Sequence, residues 1–133
     1  MRDIQVALER WGNWAATGDN NLGYPHIAAG FKGLISSGNS GHLLCTDTDG
    51  LLIDNAIAKL KTVRKDEEYN LVIAHYMYRI SKRAIARKQK ISEGRIRQMM
   101  QVAEGFVDGY LYAAGAALDM DDEIADNRLT SCN

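Results

Sequence analysis

Proline is almost missing from this chain, with one residue, Pro25, in 133. A chain so poor in proline has few obligatory helix breaks, so apolar periodicity and polar joints must divide it into elements. Cysteine is scarce too. Cys45 and Cys132 lie far apart in sequence, which excludes a disulfide framework and predicts reduced thiols. No apolar run approaches the ~20 residues that a membrane helix needs. The opening MRDIQVALER is amphipathic and charged, unlike a signal peptide. These absences predict a cytoplasmic protein without a membrane partner. A large net charge is lacking as well, since the total is −1.

The charge that is present is unevenly placed. Residues 59–97 hold twelve Lys and Arg against four acids, a local excess of +8, and the other 94 residues carry −9. A dipolar chain of this kind can meet a polyanion with one end while the other stays clear. The length suits one domain, or one domain with a small module, and 46 % apolar content is ordinary for a globular core.

Helical spacing recurs along the chain. Ile4, Ala7, Leu8, Trp11, Trp14 and Ala15 share a stripe over residues 3–16, with Asp3 as N-cap. Both tryptophans are expected as core anchors, with a partner surface as the alternative. Residues 17–24 are turn chemistry, and Pro25 starts a helix over about 25–35. Residues 36–42, SSGNSGH, predict an exposed flexible loop. A third helix over about 49–62 turns Leu52, Ile53, Ala56, Ile57 and Leu60 inward. A fourth over about 67–78 has apolar residues on two sides, as the central helix of a bundle would. A short helix at 82–88 follows Ser81, and a long one from 93 to about 118 follows Ser92. The five acids of residues 119–133 predict a frayed acidic tail. The fold class is therefore all-α, a compact bundle of about six helices containing a helix-turn-helix. Residues 1–65 form one module, 66–118 a second, and 119–133 the tail.

Chemistry concentrates in KRAIARKQKISEGRIRQ, residues 82–98. If Ile96, Met99, Met100 and Ala103 are buried, Glu93, Gly94, Arg97, Gln98 and Gln101 face outward together. Arg, Gln and Glu carry the donors and acceptors that read base edges in the major groove. Lys82, Arg83, Arg87, Lys88 and Lys90 surround them, as residues gripping phosphate do, and Arg95 adds a further cation. These nine basic and glutamine residues, 82, 83, 87, 88, 90, 95, 97, 98 and 101, are the candidate DNA-binding set. A solvated basic face on a structural bundle, meeting another protein, is the bland alternative.

Other constellations are weak. Asp47-Thr48-Asp49-Gly50 places its glycine two positions early for a calcium loop, and no Glu closes it. His42 and Cys45 lack a second pair for zinc. The glycine-rich loop lacks the Gly-Lys-Ser/Thr ending of a phosphate-binding loop. No nucleophile–base set is visible. The chain is thus expected to be neither an enzyme nor the holder of a metal or cofactor.

Residues 67–107, from EEYNLVIAHYMYRI to the run Arg95-Ile96-Arg97-Gln98 and beyond, resemble region 4 of bacterial sigma factors. That unit reads the −35 promoter element, so the resemblance implies groove roles for Arg97 and Gln98. Glu93 and Gly94 stand where the sigma pattern has a basic then an acidic residue, which implies a different target sequence. A longer resemblance, over residues 1 to about 112, is to the zinc-free type of lambdoid phage Q antitermination proteins. MRDIQ, LERWGNWA, YPHIAAGFKGL, DGLLID and SKRAIARKQKISEGRIRQ carry it. It implies a factor in the host bacterial cytoplasm that binds double-stranded DNA near a phage late promoter. Such a factor engages paused RNA polymerase with sigma still bound, then lets it pass pauses and terminators. A ring at the RNA exit channel would make Trp11, Trp14 and the loops 17–24 and 36–48 candidates for polymerase or nascent-RNA contact. The rival expectation is a sigma-like or activator-type regulator of initiation.

Overall fold

The computed structural model describes residues 2–17 and 43–125. The expected helix at 25–35, the loop at 36–42 and residues 126–133 lie outside the described residues. Among those described, the chain is all-α: five α-helices, and no strand beyond one isolated bridge between Arg2 and Ala125.

Helix α1 (Ile4–Ala15) begins where the Asp3 carboxylate accepts the amides of Gln5 at 3.1 Å and Val6 at 3.4 Å. Its stripe of Ala7, Leu8, Trp11, Trp14 and Ala15 is buried as the spacing predicts. Trp11 is fully enclosed, and Trp14 donates its indole N–H to Asp47 at 2.8 Å. Neither tryptophan is therefore available for the polymerase or RNA contact offered for it above; both are core anchors. Helix α2 (Asp47–Thr62) is capped by Thr46 and passes Gly50 under the Trp14 ring. A Cβ on Gly50 would stand 2.5 Å from that ring.

Helix α3 (Asp66–Val72) continues into a π-helical turn (Ile73–Met77), and this element is central. It packs on α1, on α2 and on the last helix, which explains its two apolar sides. The wide turn pushes the Tyr76 carbonyl into α1 at Gly12, where a Cβ would meet that oxygen at 1.9 Å. The same residue's phenol donates to Glu104 at 2.6 Å, and Gln5 donates to the other Glu104 oxygen at 3.3 Å. Burial, then the Glu104 hydrogen bond, push the Tyr76 phenol well above its ordinary pKa. Helix α4 (Lys82–Gln89) and helix α5 (Glu93–Ala113) complete the fold.

Two expectations are corrected. The last helix stops at Ala113, not near 118, because Gly115 adopts φ +67 and closes the end. There the amide of Ala116 bonds the Leu111 carbonyl at 2.9 Å and that of Gly115 bonds Tyr112 at 3.0 Å. Residues 119–125 do not fray. Leu118, Met120 and Ile124 are buried, and the enclosed Asp49 carboxylate accepts the amides of Asp119 at 2.7 Å and Met120 at 3.1 Å. Arg2 grips Asp121 at 2.8 Å and the Ala116 carbonyl at 2.8 Å. Acidic composition alone suggested disorder, but here Asp119, Asp121 and Glu123 meet Thr46, Arg2 and Arg10, all distant in sequence.

Gly12→Ala should destabilise the protein by about 1–3 kcal/mol, because backbone must move to admit the methyl group. Gly105→Ala, on the open side of α5 with nothing within 4 Å, should instead stabilise it by about 0.5–1 kcal/mol. Urea denaturation of the two variants reads the contrast.

Candidate nucleic-acid interface

Two serines set the unit's boundaries. Ser81 accepts the Ala84 amide at 3.0 Å to start α4, and Ser92 accepts the Arg95 amide at 3.1 Å to start α5. Between them lies a joint of three residues, 90–92. The Ile91 amide bonds the Ala86 carbonyl at 3.0 Å and the Lys90 amide bonds Arg87 at 3.3 Å, closing α4 in a Schellman arrangement. Lys90 takes the left-handed conformation this closure needs, φ 60 and ψ 40. Glycine is the usual choice there, so a lysine is retained against a steric cost.

The unit is held by few apolar groups. Ile85 and Ala86 of α4 and Ile96, Met99, Met100 and Ala103 of α5 are buried. This inward set leaves Gly94, Arg97, Gln98 and Gln101 exposed, and Glu93 partly so. Arg83, Arg87, Lys88 and Lys90 are exposed on α4 and the joint, while Lys82 is half-buried at the start of α4. Arg95 stands apart. It lines a cleft of about 410 Å³ with Glu67, Asn70, Leu71, Gln89, Ile91 and Met99, on the side of α5 that faces α3.

Glu93 has a role that its outward position did not reveal. One carboxylate oxygen accepts both Nε, at 3.0 Å, and Nη2 of Arg97. The other lies 3.7 Å from Arg83 Nε on α4. The Arg97 hydrogen bonds are the main cause that holds the Glu93 carboxyl below its usual range. The four-residue spacing of Glu93 and Arg97 was the signal available in the sequence. The buried Glu104 and Asp49 are structural carboxylates; in the sequence Glu104 goes unnoticed and Asp49 figures only in the weak calcium-loop match.

Elsewhere the surface offers less chemistry. Among the described residues no group of three or more His, Cys, Asp or Glu could hold a metal ion. Burial pushes the Cys45 thiol up to about 12. No described helix is long and apolar enough to cross a membrane.

Residues 1–119 match the family described as phage antitermination protein Q. The chain belongs to that family. A probable antitermination protein Q from Acyrthosiphon pisum secondary endosymbiont phage 1 is 48 % identical over 123 residues, 92 % of this chain and 83 % of that protein. The prophage antitermination protein Q homologue QuuD of Escherichia coli (strain K12) is 40 % identical over 121 residues, 91 % of this chain and 94 % of the relative. Antitermination protein Q of Escherichia phage 933W is 39 % identical over 121 residues, 91 % of this chain and 83 % of the relative. No solved structure matches the chain. Family membership makes this a phage regulator of transcription, of the antitermination class.

Lys90→Gly should stabilise the fold by about 1 kcal/mol, because it relieves the left-handed backbone without altering the closure. Lys90→Ala, which keeps the strain, should not; thermal unfolding of both variants tests the assignment.

Proposed function

We propose that the chain is a DNA-binding antiterminator of phage late transcription. Its α4–α5 unit acts as a helix-turn-helix on double-stranded DNA near the late promoter. The first turns of α5 enter the major groove with Arg97, Gln98 and Gln101 toward base edges. Lys82, Arg83, Arg87, Lys88 and Lys90 grip phosphates on either side. Arg95, turned toward the α3 cleft, serves at the rim. The observation that carries this is the exposed polar face of α5 beside a nearly unopposed basic α4, both pinned to the core by a short apolar seam.

From that site the protein loads onto RNA polymerase paused nearby with its sigma factor, in the host bacterial cytoplasm. It then travels with the enzyme past pauses and terminators, with nascent RNA as a further contact. Recruitment belongs to residues 66–118, and the polymerase-facing work belongs to residues 1–65. The names of the relatives support antitermination as the outcome. A regulator confined to initiation is the second reading, favoured by the likeness of residues 67–107 to sigma region 4.

Run-off transcription across an intrinsic terminator, on a template with the phage's own late promoter, separates the two. Antitermination predicts read-through product that appears only with the protein. A rise in initiation with termination unchanged would leave the second reading standing.

Arg97→Ala combined with Gln98→Ala should reduce discrimination between specific and random DNA by roughly 1–3 kcal/mol per lost base contact. Arg83→Ala or Lys88→Ala should weaken both kinds of binding and flatten the salt dependence. Titrations of labelled duplexes at several salt concentrations measure both effects.

A further inference from the structure

We propose that Glu93 is a positioning residue that presets Arg97 for one base, so that the pair, and not Arg97 alone, sets sequence preference. The inference rests on the DNA-binding function proposed above. An arginine side chain at a helix surface has many rotamers, and reading a guanine edge requires one of them with two donors side by side. Here the choice is made before DNA arrives. Glu93 takes Arg97 by Nε and one Nη2 hydrogen. A guanidinium has five donors, so the Nη1–Nη2 edge keeps three for an acceptor pair ahead of it. The Arg97 side chain remains 58 % exposed, which leaves that edge reachable.

The carboxylate is itself held. Its second oxygen lies 3.7 Å from Arg83 on α4, so the tip of α5 is tied to the helix that grips phosphate. Glu93 also stands in the first turn of α5, where a negative charge suits the helix dipole. An exposed pair of this spacing adds little to stability. Its consequence lies in orientation. An acid among seven basic residues of this stretch also opposes the approach of any phosphate backbone. It weakens binding to every duplex alike, while the orientation it imposes favours only the duplex with the matching base. Only the orientation raises discrimination, because a uniform penalty cancels in the ratio of the two affinities.

The test uses the full chain and duplexes that it selects from a randomised pool, with a scrambled duplex as reference. Glu93→Gln keeps the length of the side chain and removes its charge. It should tighten binding to the scrambled duplex about 2–5-fold. It should also lower the selected-to-scrambled ratio about tenfold and erase preference at the same base position as Arg97→Ala. In the double variant the ratio should fall no further than with Arg97→Ala. If Glu93→Gln tightens both duplexes equally and leaves the ratio unchanged, the carboxylate merely repels DNA and the proposal is wrong. Loss of preference at a different base position would mean that Glu93 reads a base directly, which also overturns it. If Arg97→Ala itself leaves the ratio intact, the groove assignment has failed and the positioning role falls with it. That result differs from an Arg97→Ala defect with Glu93→Gln silent, which sinks the positioning role alone.

Discussion

Tyr76 joins three helices through two different groups of one residue. Its carbonyl, pushed outward by the π-helical turn, rests against α1 where Gly12 leaves room for it. Its phenol donates to the buried Glu104 of α5 at 2.6 Å. Gln5 of α1 closes the triangle on the same carboxylate. A buried carboxylate is tolerated only when its acceptor capacity is used, and a buried hydroxyl only when it donates. The three helices therefore have little freedom to slide past one another. Because α5 runs from this joint out to the basic unit, the direction of its first turns is settled deep in the core.

The surface built on that frame is economical in apolar contacts and generous in positive charge. Helix α4 buries only Ile85 and Ala86 completely enough to count as core. Short helices with so little apolar area depend on their ends, and here both ends are secured, by Ser81 and by the Lys90 closure. The same device recurs. Among the described residues the non-glycine positions with positive φ are Arg64, Arg79 and Lys90, and each ends a helical element. Left-handed backbone costs a side-chain-bearing residue about 1 kcal/mol or more. A cation offsets part of that cost, because the C-terminal carbonyls of a helix attract it. Tight joints are thereby made without giving up positive charge.

The acids are divided between two tasks that composition cannot tell apart. Asp49, Glu104 and Asp121 hold the structure together, by accepting backbone amides, a phenol and a guanidinium. Glu93 sits in the basic face and engages two of its arginines. Burial separates Asp49 and Glu104 from Glu93, whereas Asp121, with a side chain 32 % exposed, is told apart only by its partner Arg2. Asp49 is 1 % exposed and Glu104 7 %, whereas the Glu93 side chain keeps 34 %.

Much of the fold was legible in the residues. Ile4 to Ala15, Leu52 to Leu60 and Ile96 to Leu111 each repeat at helical spacing, and local hydrogen bonding decides helices and their caps. Asp3, Ser81 and Ser92 cap where their side chains allow, since a cap needs only the next three residues. The basic stretch and its outward glutamines were visible for the same reason, because a stripe on one helix defines its opposite face. What was not legible depends on groups distant in sequence. Glu104 falls inside the apolar stripe between Met100 and Val107, yet nothing local says that Tyr76 waits there. Asp49 meets amides seventy positions away, and Arg2 meets Asp121 across nearly the whole chain. Sequence by itself determined the helices, their ends and the charged face, all of which are matters of a few neighbouring residues. Only the tertiary structure decided which carboxylates are partnered across the fold, that residues 119–125 fold back, and that Glu93 also approaches Arg83 of the neighbouring helix, because those outcomes depend on where separate helices bring their side chains together.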